Sequence, residues 1–418
     1  MNLSRRKFFV SATTLLAAGS SFLADILHAS TRDTAPETAA PNVNYLPVVT
    51  PNVESLPWTM KDGVKEFHLI AEPLKREFAP GMTVNCWGYN GSTPGPTIEA
   101  QEGDRVRILV TNKLVEPTSV HWHGIFTPNG MDGVSGLTQK RIEPGETYAY
   151  EFTLRQNGTY MYHPHADETV QMALGMMGFF IIHPKAEPGP RVDRDFAIFL
   201  AEWAIEPGTA TPNPNVMTDF NIFTFNSRVY PGTAPLVVKT GERVRIRLGN
   251  LSMDNHPIHV HGHRFMITGT DGGPIPTSAQ WPETTVDVPP GATRTVELVA
   301  DNPGDWPFHC HKSHHAMNAM SHTLPNMIGV DQAKVSKEMS KLVPGYMPMG
   351  SNGMGEMTDM NMPGPKNTLP MMAGDGPYGS IAMGGMFTLL QVRDNLENSA
   401  TPDWYQAPAD TKARLVPG

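Results

Sequence analysis

The chain has 418 residues, and its 32 lysines and arginines against 41 aspartates and glutamates give a formal net charge of −9 at pH 7. This length suits two domains better than one, and the mildly acidic balance argues against a nucleic-acid partner. With 38 glycines and 39 prolines, the chain is expected to form a turn-rich β fold of short strands. Two cysteines cannot build a disulfide framework, whereas 16 histidines and 25 methionines indicate metal chemistry.

The N-terminal segment is predicted to be an export signal over residues 1–30. The pair Arg5-Arg6 stands before a weakly apolar stretch that ends near Leu27, an order typical of twin-arginine signals. The alternative is an N-terminal helix of the mature fold, but the stretch gives way to a polar, proline-containing linker at 31–59. No run approaches the ~18 consecutive apolar residues of a membrane span. We therefore expect a periplasmic or secreted protein without a membrane span.

The chain repeats one pattern twice. Residues 103–108 (Gly-Asp-Arg-Val-Arg-Ile) recur as residues 241–246 (Gly-Glu-Arg-Val-Arg-Ile), and each copy precedes a His-x-His-Gly motif, a Pro-Gly turn and a second His-x-His motif. The residues after each Pro-Gly turn alternate with period two, as half-buried strands do. The repeat predicts two tandem β-sandwich domains, at 60–184 and 185–394, followed by a tail at 395–418.

Four His-x-His pairs stand at mirrored positions of the two repeats. Residues i and i+2 of a strand point to the same face, so each pair places two imidazoles side by side. One pair alone would indicate little, but four predict a cluster of several metal ions. Copper is favoured over zinc, because structural zinc needs only four ligands. The eight histidines are His121, His123, His163, His165, His259, His261, His309 and His311.

The second domain carries four further potential ligands, namely His256, Cys310, His315 and Met320. Two imidazoles, a thiolate and a distant thioether are the ligand set of a blue electron-transfer copper. The equivalent positions of the first domain hold Thr118, Pro164, Thr169 and Leu174. These side chains cannot form such a site, so we predict one mononuclear copper, in the second domain. His314, which adjoins His315, leaves a second register open.

Alternation along the strand gives Cys310 a particular role. Its side chain is predicted to point into its own sandwich, whereas His309 and His311 point outward to the cluster. The cysteine and its flanking peptide bonds therefore offer a short covalent route for electrons from the mononuclear copper to the cluster.

These motifs resemble those of the two-domain multicopper oxidases, laccase-like enzymes built from two cupredoxin-like Greek-key β-sandwiches. The match covers residues 60–394 and rests on the four histidine motifs, which stand here at 121–124, 163–165, 256–263 and 309–320. The resemblance implies four coppers per active unit. It places type 1 copper on His256, Cys310, His315 and Met320, type 2 copper on His121 and His259, and the type 3 pair on His123, His163, His165, His261, His309 and His311.

The resemblance also implies a proton relay and an assembly. Asp132 matches the family's acidic residue beside the trinuclear site. Larger members place a second acidic residue where this chain has Ala316. Asp167 and Glu168 are candidate substitutes, although exposed loop carboxylates are the more ordinary interpretation. Two-domain members complete the trinuclear site between subunits, so the resemblance implies a homotrimer closed head to tail.

A methionine-rich insertion lies at about 336–383, beyond the last ligands. The strand that closes the second sandwich is predicted at 386–390, with 326–330 as the alternative. The simpler interpretation of the insertion is a loosely packed segment whose methionines cover apolar surface. We favour a functional one, in which soft thioethers collect Cu(I) near the type 1 site.

The predicted function is an oxidase that takes single electrons from Cu(I), or from phenols and aromatic amines, and reduces O₂ to water, in a role in copper tolerance. One alternative is a general laccase without a copper-homeostasis role. A copper nitrite reductase is disfavoured, because that family places type 1 copper in the first domain, where Pro164 stands in place of a cysteine. A periplasmic copper-sequestering protein is the non-enzymatic alternative, and it would not need eight cluster histidines.

Overall fold

The computed structural model describes residues 43–187, 189–206, 208–317, 337–338, 341–342, 367, 374–396 and 403–416. The predicted export signal, Met320 and most of the methionine-rich insertion lie outside these ranges. Within them, no helix is long and apolar enough to cross a membrane. The regular structure of these residues is nearly all β, as predicted.

The first β-sandwich packs a five-stranded sheet against a four-stranded one. The larger sheet consists of β1 (Trp58–Lys61), β2 (Val64–Ala79), β3 (Met82–Tyr89), β5 (Arg105–Asn112) and β7 (Thr147–Thr153). The smaller sheet has the order β4 (Gly95–Gln101), β9 (Gly178–His183), β8 (Gly158–His163) and β6 (His121–His123). A 3₁₀ turn (Asn129–Met131) follows β6, and a short helix α1 (Glu168–Ala173) connects β8 to β9.

The second β-sandwich repeats this plan with a larger outer sheet. That sheet consists of β11 (Ile222–Phe225), β10 (Arg194–Trp203), β13 (Arg243–Asn250), β19 (Ala292–Val299), β15 (Phe265–Thr270), β16 (Gly273–Pro274) and β17 (Trp281–Glu283). The facing sheet has the order β12 (Leu236–Lys239), β23 (Phe387–Arg393), β20 (Gly304–Cys310), β14 (His256–Val260) and β18 (Thr285–Val288). Two 3₁₀ turns (Thr277–Ala279 and Ala409–Thr411) and a hairpin of β21 (Gly374–Gly376) and β22 (Gly379–Ile381) complete the described elements.

The pairing of β23 identifies the strand that closes the second sandwich. In the first sandwich, β9 runs parallel to β4 and antiparallel to β8. In the second, β23 runs parallel to β12 and antiparallel to β20 in the same manner. The prediction of a closing strand at 386–390 is therefore confirmed, with the strand beginning one residue later and extending to Arg393. Residues 326–330 lie outside the described part of the chain.

Three apolar clusters stabilise the two sandwiches. One fills each sandwich, and the third joins β2, β3, β8 and β9 of the first sandwich to β10 of the second, with Phe78, Phe199 and Trp203 fully buried in it. Cys86 is a buried member of this third cluster. Because a buried aromatic side chain contributes a few kcal/mol, this junction fixes β8 against the second sandwich.

A buried ion pair reinforces the same junction. Arg247 on β13 binds both carboxylate oxygens of Asp195 on β10, at 2.8 Å each, and also donates to Thr159 Oγ1 on β8 at 2.8 Å. The bidentate geometry satisfies most of the guanidinium, which a buried charge requires. The strand that ends at His163 is thereby tied to the second sandwich by charge as well as by packing.

The insertion returns to the first sandwich at one described residue. The Asn367 side chain accepts a hydrogen bond from the Thr83 amide at 2.9 Å and donates one to the Thr209 carbonyl at 2.7 Å. Residues 374–381, at the end of the insertion, form the β21–β22 hairpin. At least this part of the insertion therefore has a defined place against the folded body.

Candidate metal centres

The first sandwich gathers four imidazoles at one end of its smaller sheet. We call His121, His123, His163 and His165 the first-domain group. Strand β6 pairs with β8 so that His121 lies opposite His163, because a His-x-His pair on adjacent antiparallel strands brings side chains of one face together. The ring centroid of His121 lies 5.8, 5.3 and 5.8 Å from those of His123, His163 and His165. All four predicted ligands of this domain are thus brought together.

Backbone carbonyls fix which nitrogen each imidazole offers. His121 Nδ1 donates to the Asp132 carbonyl and His163 Nδ1 to the Pro164 carbonyl, both at 2.9 Å, so their Nε2 lone pairs remain available. His123 donates through Nε2 to the Gly291 carbonyl at 2.9 Å, leaving Nδ1, which lies 3.3 Å from His163 Nε2. Burial lowers the pKa of His163 to about 3. Burial also lowers the pKa of His123. His123 and His163 therefore present neutral imidazoles whose lone pairs converge, the form that binds a metal.

The second sandwich holds a matching set on β14 and β20. We call His259, His261, His309 and His311 the second-domain group. His259 lies opposite His309 in the strand register, and ring centroids within the group are 4.9 to 5.7 Å apart. His259 Nδ1 donates to the Thr284 carbonyl at 2.7 Å and His309 Nδ1 to the Cys310 carbonyl at 2.9 Å. His261 Nε2 and His309 Nε2 lie 3.1 Å apart, so lone pairs converge here too.

Within the described residues, no hydrogen bond or ring contact joins an imidazole of the first-domain group to one of the second-domain group. One chain therefore presents two sets of four histidines rather than one set of eight. His123 is instead bonded to the Gly291 backbone carbonyl of the second sandwich, in the turn before β19.

A third set of ligands lies inside the second sandwich. Cys310 Sγ lies 3.5 Å from His315 Nδ1 and 3.9 Å from His256 Nδ1, and the two Nδ1 atoms are 3.1 Å apart. All three side chains are fully buried. The Phe223 ring stacks on the His315 imidazole at 4.0 Å. The structure thus selects His315 over His314 as the partner of Cys310, while Met320 lies outside the described residues.

The protonation of this triad suits a metal ion. Burial raises the pKa of the Cys310 thiol to about 12 and lowers that of His256 to about 3 and of His315 to about 2. The imidazoles are neutral, and the thiol gives up its proton only when a cation takes its place. One thiolate and two imidazoles make a soft, three-coordinate set that suits copper.

Strand alternation around Cys310 is confirmed. Cys310 faces Ile258 across the register, and both side chains are in the apolar core of the second sandwich. His311 is exposed, and His309 faces His259 on the opposite side of the sheet. The thiol and the second-domain group are therefore joined through one residue and its peptide bonds.

Models of the multicopper oxidase family match residues 71–187 and 206–329, more than half of the chain. The chain belongs to the multicopper oxidase family. It is similar to copper resistance protein A of Escherichia coli, with 46% identity over 28% of this chain and 19% of that protein. It is also similar to multicopper oxidase MmcO of Mycobacterium tuberculosis, with 32% identity over 50% of this chain and 47% of that protein.

A third relative is a probable nitrite reductase-hydroxylamine oxidoreductase fusion protein of Kuenenia stuttgartiensis, 30% identical over 63% of this chain and 31% of that protein. The chain spans less than half the length of each of these three relatives. Among solved structures, it is similar to the blue copper oxidase from Nitrosomonas europaea, with a TM-score of 0.58, 28% identity and coverage of 78% of this chain and 85% of that one. The multicopper oxidase mgLAC gives a TM-score of 0.58, 29% identity and coverage of 81% and 88%.

These similarities confirm the predicted family and the two tandem cupredoxin-like domains of a laccase-like multicopper oxidase. Copper is the cofactor that the family implies, and the two groups of four imidazoles and the buried thiol–imidazole triad fit it. The assignment of individual ligands to type 1, type 2 and type 3 copper remains the prediction made from the motifs.

In the first domain of this multicopper oxidase, hydrogen-bonded polar side chains stand where the second domain has the ligands of its buried triad. Thr118, at the position of His256, donates through Oγ1 to Gln171 Oε1 at 2.7 Å, and Gln171 Nε2 donates to the Pro117 carbonyl at 2.9 Å. Both side chains are fully buried. The sequence comparison identified Thr118 but missed Gln171, since it lies on α1 and no ligand motif marks it. The space that corresponds to the type 1 site is thus closed by a satisfied polar pair.

The predicted acidic residues lie beside the first-domain group. Asp132 Oδ1 is 3.4 Å from His121 Nδ1. Glu168, at the start of α1, lies 3.7 Å from His163 Nδ1 and 3.8 Å from His165 Nε2, while Asp167 is exposed and makes no ion pair among the described residues. The structure therefore brings Asp132 and Glu168, but not Asp167, to the imidazoles.

Sequence reasoning missed two carboxylates beside the buried triad. Glu202 Oε2 lies 3.9 Å from His256 Nε2, and Asp254 Oδ2 lies 3.7 Å from His315 Nε2. Burial raises the pKa of Glu202 to about 7. The signal that could have found Glu202 is its place as a buried acidic residue near the end of the apolar strand β10.

Proposed function

We propose that the protein is an oxidase that couples one-electron oxidation of Cu(I), or of phenols and aromatic amines, to four-electron reduction of O₂ to water, and that it serves copper tolerance in the periplasm. The observation that carries the proposal is the position of Cys310, whose thiol belongs to the buried triad while its two chain neighbours, His309 and His311, belong to the second-domain group. When bound, four coppers supply electron transfer at the triad and oxygen reduction at the histidine groups. Membership of the family and similarity to copper resistance protein A support this function.

The residues of the chain have separable tasks in this proposal. His256, Cys310 and His315 hold the electron-accepting ion in a dry core, where a low dielectric limits reorganisation. His309 and His311 flank the cysteine and belong to the second-domain group, so they connect the triad to it. Asp132, at 3.4 Å from His121, is placed to move protons to the oxygen-reducing site, because water formation consumes four protons for each O₂.

We propose that the active form is a homotrimer in which the first-domain group of one chain faces the second-domain group of the next. The support is that each chain keeps its two groups of four imidazoles apart, so neither group has the ligands for three ions by itself. A head-to-tail contact of this kind closes into a ring.

Co-expression of two defective chains tests this assembly. A chain with His163→Ala and a chain with His309→Ala should each be inactive, because each lacks a ligand in one group. If sites form between subunits, random mixing restores roughly a quarter of the sites, each from one intact first-domain group and one intact second-domain group. Oxygen uptake of the separated mixed oligomer measures this, and complete inactivity of the mixture would reject the intersubunit site.

Nitrite reduction is the competing activity, since one relative bears that name in part. The buried Thr118–Gln171 pair closes the position where such enzymes hold type 1 copper, and this favours the oxidase. Oxygen uptake with Cu(I), with a phenol and without donor, beside nitrite consumption under anaerobic conditions, separates the activities. Nitrite turnover without oxygen uptake would contradict the proposal, and copper binding without either activity would favour sequestration.

A further inference from the structure

A cavity of about 310 Å³ lies between the second sandwich and the tail that follows it. This volume is within the range of small-molecule sites, roughly 300–1,000 Å³. Strand β23 contributes Leu389 and Gln391 to the lining. The other walls include two aromatic side chains and one carboxylate, those of Tyr230, Trp404 and Asp403. We call this space the tail cavity.

One carboxylate on β20 fixes the part of the tail that forms this wall. Asp305 Oδ2 accepts a hydrogen bond from the Tyr405 amide at 2.7 Å. Arg393 binds Asp305 Oδ1 at 2.5 Å and donates to the Asp403 carbonyl at 2.8 Å. The backbone is therefore held on both sides of Trp404, and the wall that carries Asp403 and Trp404 has a defined position against the sheet.

A buried acceptor at the tail cavity lacks a hydrogen-bond partner. Gln391 is only 5% exposed, and its Nε2 donates to Asp305 Oδ1 at 3.0 Å. Because that bond sets the orientation of the amide, Oε1 is left buried and without a partner among the described residues. Leaving a buried acceptor unpaired is unfavourable, so such an atom beside a cavity indicates a bound donor, either a ligand or a water molecule.

The charges and aromatic rings of the tail cavity favour a cation. The Asp403 carboxylate is exposed, lines the cavity and forms no ion pair within the described part of the chain. The neighbouring cation, Arg393, is paired with Asp305 and with backbone carbonyls. Tyr230 and Trp404 add aromatic surface, which attracts cations through the negative faces of the rings. Two hydrogen-bond acceptors beside two aromatic rings suit an ammonium group that is attached to an apolar body.

We propose that the tail cavity is a binding site for a small organic ammonium ion. The N–H groups of the ion donate to Gln391 Oε1 and to the Asp403 carboxylate, while its apolar part packs against Tyr230 and Trp404. Binding is noncovalent, and neither electrons nor protons are transferred. The inference does not rest on the proposed oxidase function. Water is the competing occupant, and it would satisfy Gln391 without any preference for a cation.

The tail cavity is separate from the metal centres but lies close to one of them. The Tyr230 ring contacts the Phe387 ring edge-on, with centroids 4.7 Å apart, and Phe387 lies 6.5 Å from the His309 ring. Two ring contacts therefore connect the cavity to the second-domain group. None of the residues that would bind the ammonium ion is a predicted copper ligand, so they can be substituted without removing a ligand.

Titration with a matched pair of probes tests the site. The probes are phenethylammonium and phenethyl alcohol, which share an apolar body and differ in charge. Their binding to the full-length, copper-loaded protein is measured by calorimetry. We expect one phenethylammonium ion per chain and at least about tenfold weaker binding of the alcohol, because hydrogen bonds from an ionised donor are stronger than those from a neutral one. Absence of saturable phenethylammonium binding, or equal affinity for both probes, would overturn the proposal.

Single substitutions then identify the binding groups. Asp403→Asn and Gln391→Leu should each weaken phenethylammonium binding at least about tenfold, and Asp403→Asn should leave the affinity for phenethyl alcohol unchanged. Asp410→Asn is the matched control, because Asp410 is an exposed carboxylate of the same tail that does not line the cavity. The melting midpoint and the blue absorption band report whether each variant is folded, and the exposed position of Asp403 keeps the test decisive if Gln391→Leu is not. Full binding in Asp403→Asn, or equal weakening in Asp410→Asn, would refute the site.

Discussion

Replacing Phe223 by alanine tests how firmly the second sandwich holds His315. The Phe223 ring is 2% exposed and stacks on the His315 imidazole with centroids 4.0 Å apart and 16° between the planes. Removing a buried phenylalanine side chain costs about 3–5 kcal/mol, because lost burial and the remaining cavity add. In a domain of 150–250 residues, each kcal/mol lowers the melting midpoint by about 2–4 °C, so the midpoint should fall by roughly 6–20 °C.

Phe225→Ala is the control for this experiment. Phe225 is also buried on β11, but its ring contacts Phe308 at 5.8 Å rather than an imidazole. Calorimetry and the blue absorption band of the copper-loaded proteins are measured together. Both variants should lose similar stability, and only Phe223→Ala should shift the band, since only there does His315 lose its stacked neighbour. An unchanged band in Phe223→Ala, or an equal shift in Phe225→Ala, would refute the reasoning.

Three further predictions follow from features described above. Asp195→Asn, which leaves the Arg247 charge unpaired at the domain junction, should cost about 3–5 kcal/mol in denaturant unfolding, and a loss below about 1 kcal/mol would show that the pair is dispensable. In the copper-free protein, burial lowers the pKa of His163 and His256 to about 3, so the unfolded chain takes up protons that the folded chain does not. The melting midpoint should then fall as the pH drops below about 6.5, and an equal midpoint at pH 7 and pH 5 would contradict this. Glu202, with its raised pKa, acts in the opposite sense but is outnumbered by the buried histidines. Deleting residues 336–366, which keeps Asn367 and the β21–β22 hairpin, should depress Cu(I) oxidation and spare phenol oxidation, whereas equal loss of both would favour a merely structural segment.

Features that depend on strand periodicity could be predicted from the sequence. The side chains of a strand alternate, so the spacing of His309, Cys310 and His311 was enough to place the thiol in the core and the imidazoles outside it. The same logic placed the two imidazoles of each His-x-His pair side by side on one face of a strand. The internal repeat made the closing strand identifiable across a long insertion, because β9 supplied the pattern that β23 follows.

Features that depend on distant strands could not be predicted. Glu202 is 54 residues from His256, and nothing in the local sequence relates them; only the packing of β10 beside the β13–β14 loop brings them together. Gln171, on the short helix α1, bonds Thr118, which stands at the position equivalent to His256. The comparison of the two repeats identified only Thr118, because it relates residues at equivalent positions and Gln171 is not one of them. Asp167 and Glu168 were indistinguishable in the sequence, and the turn of α1 directs only Glu168 to the imidazoles.

The hydrogen bond from His123 to the Gly291 carbonyl has a consequence for how the protein could be divided. Three members of the first-domain group stand beside partners from their own sandwich, but the ring of His123 is oriented by a turn that belongs to the other one. An excised N-terminal sandwich would keep its core and still lose the restraint on that single ring. Each sandwich has an apolar cluster of its own, yet the orientation of the metal-binding ring of His123 depends on both sandwiches.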